Sequence, residues 1–210
     1  MKDVLIPIVF PDYRISVDTP QIDVDLFPWT NFDNFSIRGR KNKISDMGHA
    51  GILIISGKTG LSKYYEYGRY DAPKYLGVVR GVIIPDAKVN SEDSFFSSLK
   101  PILKKISAIA GHGGRIQGVY IEVGGVFSVV DESIRIKKSQ NTTDTRPPYD
   151  LTSNSCVHFV KKAVDRAGVP TPWIVDPRPN SYIGEFRGEY PDLDYDPKIN
   201  RLIIEGKKIN

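Results

Sequence analysis

One cysteine, three histidines, two methionines and two tryptophans are all that 210 residues supply of these types. A single thiol cannot close an internal disulfide, so no cross-linked framework is available to the fold. It also excludes a zinc site built on paired cysteines, and His49, His112 and His158 show no ligand spacing. No metal or cofactor is expected. Long apolar runs are missing too: nothing approaches the roughly 20 residues that span a bilayer, so stable membrane insertion is not expected. The apolar start of "MKDVLIPIVFPDYR" is broken by Pro7 and stopped by Pro11 and Asp12, too short and wrongly flanked for a secretory signal. If the protein acts outside the cell that makes it, the expectation is export without a signal peptide. The net charge of +4 is mild and the basic pairs are dispersed along the chain, which argues against nucleic acid as a partner.

What is present is a globular composition, 40% hydrophobic and 26% charged. Without repeats or a low-complexity linker, the economical reading is one α+β domain over residues 1–210. Residues 4–10 are apolar and β-prone, and the Pro-, Asp- and Asn-rich stretch to about residue 47 reads as strands and loops. "GILIISGKTGLSKYYEY" reads as a β-hairpin, with strands at 50–55 and 62–67 around "GKTG". Residues 77–85 form another strand, stopped by Pro85. A helix follows from Asn90, and Pro101 should kink or restart it because proline removes a backbone donor. Residues 115–123 read as a strand and 125–138 as a helix, since Val126, Val130 and Ile134 recur every four positions. A helix over 155–168 carries Cys156, Phe159, Val160, Ala163, Val164 and Ala167 on one stripe, with Gly168 at its end. A short helix near 180–187 and an edge strand in "RLIIEG" complete the pattern.

The chemistry turns on Cys156, in "NSCVHFVKKA". A cysteine on a buried stripe is usually a small hydrophobe. A cysteine in the first turn of a helix, behind a cap from Ser153 or Asn154, has free backbone N–H groups beside it. These lower the pKa of the thiol and can hold an oxyanion. A nucleophilic thiol needs a base. His158 lies two positions along the same helix, roughly 200° around the axis, and is read as a packing or hydrogen-bonding residue. His112, in "AGHGG", reads as an exposed residue at a helix end. His49 opens the strand of "GHAGILII" between small residues and is the candidate base. Strand parity then selects its orienting partner. A turn centred between Lys58 and Thr59 pairs position 51 with 66, which puts His49 and Glu66 on one face. A one-residue change in the loop would bring Tyr67 there instead. The tyrosines at 64, 65, 67 and 70 could line a groove, although most are expected to pack in the core or at its rim.

"GHAGILII" followed by "NSCVHFVKKAVDRAG", with the histidine strand before the cysteine helix, resembles the circularly permuted branch of the NlpC-type papain-like hydrolases. Lecithin:retinol acyltransferase relatives share that order. "GKTGLSKYYEYGRYD" and "PRPNSYIGEF" resemble bacterial type VI secretion effectors of this fold. The resemblance implies a papain-like fold with an antiparallel sheet packed on the cysteine helix. It implies Cys156 as nucleophile and His49 as base, with Glu66 matched by position alone. The implied substrate is an amide of peptidoglycan stem peptides in the periplasm of a target cell. A secretion apparatus and a cognate immunity protein are the implied partners. The alternative is a lipid acyltransferase or phospholipase using the same pair.

Overall fold

The computed structural model describes the chain except residues 14, 18–21, 26–33, 38–41, 45–47, 72–73, 75, 208 and 210. At its centre is β1 (Asp3–Phe10), buried at all eight positions. A strand covered on both faces can be apolar throughout, and this explains why "VLIPIVF" shows no alternation. On one side β1 pairs with β6 (His49–Ile55), followed outward by β7 (Ser62–Gly68) and β8 (Val78–Val82). On the other side it pairs with β9 (Ile116–Val119) and β10 (Ile121–Val123), and β9 leads to β11 (Asp192–Asp196) and the edge strand β12 (Arg201–Ile204). Every pairing is antiparallel. Two small ladders stand apart from this sheet: β2 (Ile15–Val17) with β5 (Asn42–Ile44), and β3 (Ile22–Asp25) with β4 (Asn34–Ile37). They supply strands expected before residue 47. The remainder of that expectation lies outside the described residues.

Helices cover both faces of the sheet. α1 (Glu92–Ile109) buries Phe95, Phe96, Leu99, Ile102, Leu103 and Ile106 against Val4, Ile6, Ile8, Phe10, Leu53 and Ile55. α2 (Phe127–Ser139), α3 (Cys156–Arg166) and α4 (Pro179–Phe186) pack on the opposite face, where Leu5, Val9, Ala50, Ile52 and Ile54 meet Val130, Val160, Val164, Ile183 and Phe186. Strand alternation divides the residues of β1 and β6 between these two cores. The architecture is α+β, as expected from the succession of strands and helices.

Two expectations are corrected. α1 runs through Pro101 as one helix and does not restart there. Pro101 and Ser97 are both exposed, so the carbonyl that loses its partner faces water, while the buried stripe holds the helix to the sheet. The strand expected over 115–123 is two strands, interrupted at Tyr120: both keep one register on β1, Gly118 with Ile8 and Ile121 with Leu5, and the break falls opposite Ile6 and Pro7, which has no N–H to give the ladder.

The β6–β7 hairpin has the register expected from its turn: Gly51 faces Glu66 and Ile55 faces Ser62. Gly51 is required here, because a Cβ at this position would strike the Tyr64 side chain. Gly51→Ala therefore forces the Tyr64 ring aside. We expect it to destabilise the protein by about 1–3 kcal/mol, the usual cost of overpacking, measured as a lowered midpoint in urea unfolding.

Candidate active site

Cys156 is the first residue of α3, and Ser155 is the residue that caps it. The cap expected at Ser153 or Asn154 is thus displaced by one or two positions, because those side chains are engaged elsewhere. Ser153 Oγ donates to Asp150 Oδ1 at 2.8 Å, and Asn154 Nδ2 donates to Tyr67 Oη at 2.8 Å and to Pro148 O at 2.7 Å. Ser155 and His158 form a reciprocal capping box, in which His158 Nδ1 accepts from the Ser155 N–H at 3.4 Å. His158 thus serves the helix start, in keeping with its direction away from the sulfur.

His49 reaches Cys156 from an unusual place. By parity it belongs to the Leu53 and Ile55 face of β6, whereas α3 lies on the Ala50 and Ile52 face. The two side chains meet because His49 is the first residue of β6, paired with Phe10 at the end of β1, where the sheet stops. Around that end the imidazole can turn to the N-terminus of α3. The His49 ring there stands beside the Cys156 thiol, near enough for each to shift the protonation of the other, and the Ala50 N–H lies beside the sulfur as well. His112, the remaining histidine, is exposed in a left-handed conformation (φ 52°) beyond the end of α1.

Behind the ring stands Glu66. His49 Nε2 lies 3.3 Å from Glu66 Oε2 and 3.0 Å from Tyr70 Oη. Tyr70 Oη donates to Glu66 Oε1 at 2.9 Å, and Tyr64 Oη donates to Oε2 at 3.1 Å. Both hydroxyls are committed to the carboxylate, so the Tyr70 oxygen accepts from His49. That assigns a proton to Nε2 and leaves Nδ1 for the thiol. Phe10 stacks on the imidazole with ring centroids 6.4 Å apart, and Tyr13 leans on it at 5.2 Å. Tyr67, the alternative partner of His49, points to the other face and stacks on Tyr149 and Phe159. Tyr64, Tyr65 and Tyr67 are buried, as packing residues are. The roles of Tyr64 and Tyr70 as donors to Glu66 were not visible in the sequence, although Tyr64 shares the parity of Glu66.

The protonation states follow from this enclosure. Burial disfavours a charged His49, yet hydrogen bonds to Cys156 and Glu66, and the charges of both, outweigh it and raise the pKa to about 10. Burial likewise opposes a thiolate, but the hydrogen bond and charge of His49, followed by Tyr149 and the Ala50 N–H, lower the pKa of Cys156. Glu66 is lowered against its own burial by His49, Tyr70 and Tyr64. All three shifts favour the charged forms, thiolate, imidazolium and carboxylate.

The sulfur itself is covered, with Cys156 only 2% exposed. Tyr149 is the residue across its mouth: its hydroxyl donates to Cys156 Sγ at 3.5 Å and accepts from the Cys156 backbone N–H at 3.3 Å. That oxygen touches both the sulfur and the first N–H of α3. Tyr149 belongs to the polar stretch between α2 and α3, whose sequence shows no periodicity. Among the described residues no group of three His, Cys, Asp or Glu side chains could hold a metal, and no helix is long and apolar enough to cross a membrane.

A family model described as type VI secretion system effector TseH-like matches residues 5–168. The chain belongs to this family. A crystal structure of the type VI secretion system effector TseH is similar over nearly the whole molecule, with a TM-score of 0.77 and 37% identity, covering 97% of this chain and 98% of that one. No curated protein matches the sequence. Membership in a type VI effector family makes the secretion apparatus a partner of this chain, as the resemblance implied.

A paired thiolate predicts its own reactivity profile. Because the pKa of Cys156 is lowered, alkylation by iodoacetamide should stay fast as the pH falls below the roughly 8.5 of a free thiol, and His49→Ala should return the midpoint towards that value. Tyr149→Ala should raise the plateau rate by uncovering the sulfur. A wild-type midpoint at or above that of free cysteine would contradict the ion pair.

Proposed function

We propose that the protein is a thiol hydrolase that cleaves an amide bond in peptidoglycan stem peptides, delivered as an antibacterial effector into the periplasm of a target cell. The observation that carries this reading is the adjacent Cys156–His49 pair at a helix start, with Glu66 behind the imidazole. A histidine at a strand end facing a cysteine at a helix N-terminus, in that chain order, supports assignment to the permuted NlpC-type papain-like hydrolases. The TseH-like effector membership supports delivery by a type VI machine and a role against competitors.

In this reading Cys156 is the nucleophile, His49 the general acid and base, and Glu66 the residue that orients the ring. The Cys156 thiolate attacks the substrate carbonyl, forming the C–S bond as the carbonyl π electrons move to oxygen. The Cys156 backbone N–H is the first donor available to that oxyanion. Collapse of the intermediate expels the amine, which takes its proton from His49 and leaves a thioester. Neutral His49 then removes a proton from water, and the hydroxide attacks the thioester. When the second intermediate collapses, the acid product leaves, Cys156 departs as thiolate, and His49 remains protonated. Glu66 stays ionised throughout. Its contact with Nε2, supported by Tyr64 and Tyr70, keeps Nδ1 aimed at the reacting atoms. Tyr149 must yield for the carbonyl to enter, because its hydroxyl occupies the same N–H. A toxin of this kind requires protection of its producer, so a cognate immunity protein that blocks this mouth belongs to the same proposal.

The test is direct. Wild-type protein incubated with intact muropeptides should release amide-cleaved fragments, and Cys156→Ala should release none. Unchanged chromatograms for both would remove the wall-hydrolase reading. The pH profile of kcat/KM should be bell-shaped. Its acid limb reports loss of the thiolate and lies below the range of a free thiol. Its alkaline limb reports loss of the His49 proton, near the raised value of about 10.

A further inference from the structure

We propose that the groove between α2 and α3 is an anion-binding subsite, which receives a carboxylate of the substrate peptide next to the bond cleaved at Cys156. This inference rests on the hydrolase reading above. The groove is a hollow of about 230 Å³ whose lining includes Tyr67, Lys137, Gln140, Asn154, His158 and Lys162. Whole ligand pockets measure roughly 300–1,000 Å³, so this hollow suits one side-chain-sized group rather than an entire ligand.

Its charge is one-sided. None of its described lining residues is acidic. The nearby carboxylates of α2 and α3 are already engaged: Asp131 with Lys63 at 2.6 Å, Glu132 with Arg135 at 3.3 Å, and Asp165 with Lys161 at 3.1 Å. Lys137 is half-buried, with its ammonium 5.1 Å from the centroid of the Tyr67 ring, and the exposed Lys162 of α3 shares the lining. Burial and the Lys162 charge both lower the pKa of Lys137, and burial followed by Lys162 lowers that of His158. Two ammonium groups that repel each other across a partly dry hollow are stabilised by an anion placed between them.

Its position ties it to the sulfur. Tyr67, in the lining, stacks on Tyr149 with centroids 5.8 Å apart, and the Tyr149 hydroxyl touches Cys156 Sγ. Asn154, also in the lining, precedes Cys156 by two residues and donates to Tyr67 Oη. One layer of aromatic rings separates the hollow from the nucleophile. A peptide held with a carbonyl at Cys156 can therefore place a neighbouring carboxylate between the lysines.

The experiment compares stem peptides with free carboxylates and the same peptides with those carboxylates amidated, using wild type and the double variant Lys137→Gln/Lys162→Gln. Wild type should favour the free acid by about tenfold or more in kcat/KM, equivalent to about 1.4 kcal/mol. In the double variant the ratio should fall towards one, through KM rather than kcat. A wild-type ratio near one, or a ratio the double variant preserves, overturns the subsite. If wild type cleaves neither peptide, the hydrolase reading fails by itself. The groove is then judged by calorimetric binding of the free-acid peptide to full-length Cys156→Ala: binding that disappears with the two lysines supports it, and lysine-independent binding or none overturns it.

Discussion

The pairing of the Cys156 thiol with the His49 imidazole is the interaction on which the rest depends. Both groups are buried, and burial alone would keep each neutral. An ion pair survives in such a place only when every remaining hydrogen-bonding position is filled. The local structure meets that demand. The sulfur receives the Tyr149 hydroxyl with the Ala50 N–H beside it, and Glu66 accepts from His49, Tyr64 and Tyr70. Gly51 makes room for Tyr64 on the same face, so even the hairpin's small residue serves this network.

The pair also explains features of the fold that would otherwise look incidental. His49 and α3 belong to opposite faces of the sheet, and they can touch only where β1 and β6 end together. Phe10 and Tyr13 close that end over the imidazole. On the other side of the sulfur, Tyr149 and Tyr67 form a stacked layer that separates it from the cationic hollow between α2 and α3. Entry from the hollow towards the sulfur passes the Tyr149 ring.

Much of this was legible in the chain. Hairpin parity placed Glu66 on the side of His49 because a two-residue repeat leaves little freedom once the turn is centred. The amphipathic stripe of α3 and its early cysteine were equally plain, since local periodicity encodes them. What escaped was set by distant contacts. Ser155 replaced Ser153 and Asn154 as the cap because Asp150 and Tyr67 claimed those side chains. α1 passed through Pro101 because the lost donor falls on its wet face. Tyr149 and Tyr70, in irregular segments, show no periodicity from which a role could be read. The pairing order of the sheet, with β1 between β6 and β9, is a long-range choice that no local pattern states.

The most direct measurement is nitrogen NMR of the His49 ring in the wild-type protein across pH, with Cys156→Ala as the reference. Both ring nitrogens should remain protonated through neutral pH and lose a proton only near 10, and removing the sulfur should lower that value. A wild-type ring that titrates near the ordinary histidine pKa of about 6.5, unaffected by Cys156→Ala, would contradict the thiolate–imidazolium pair.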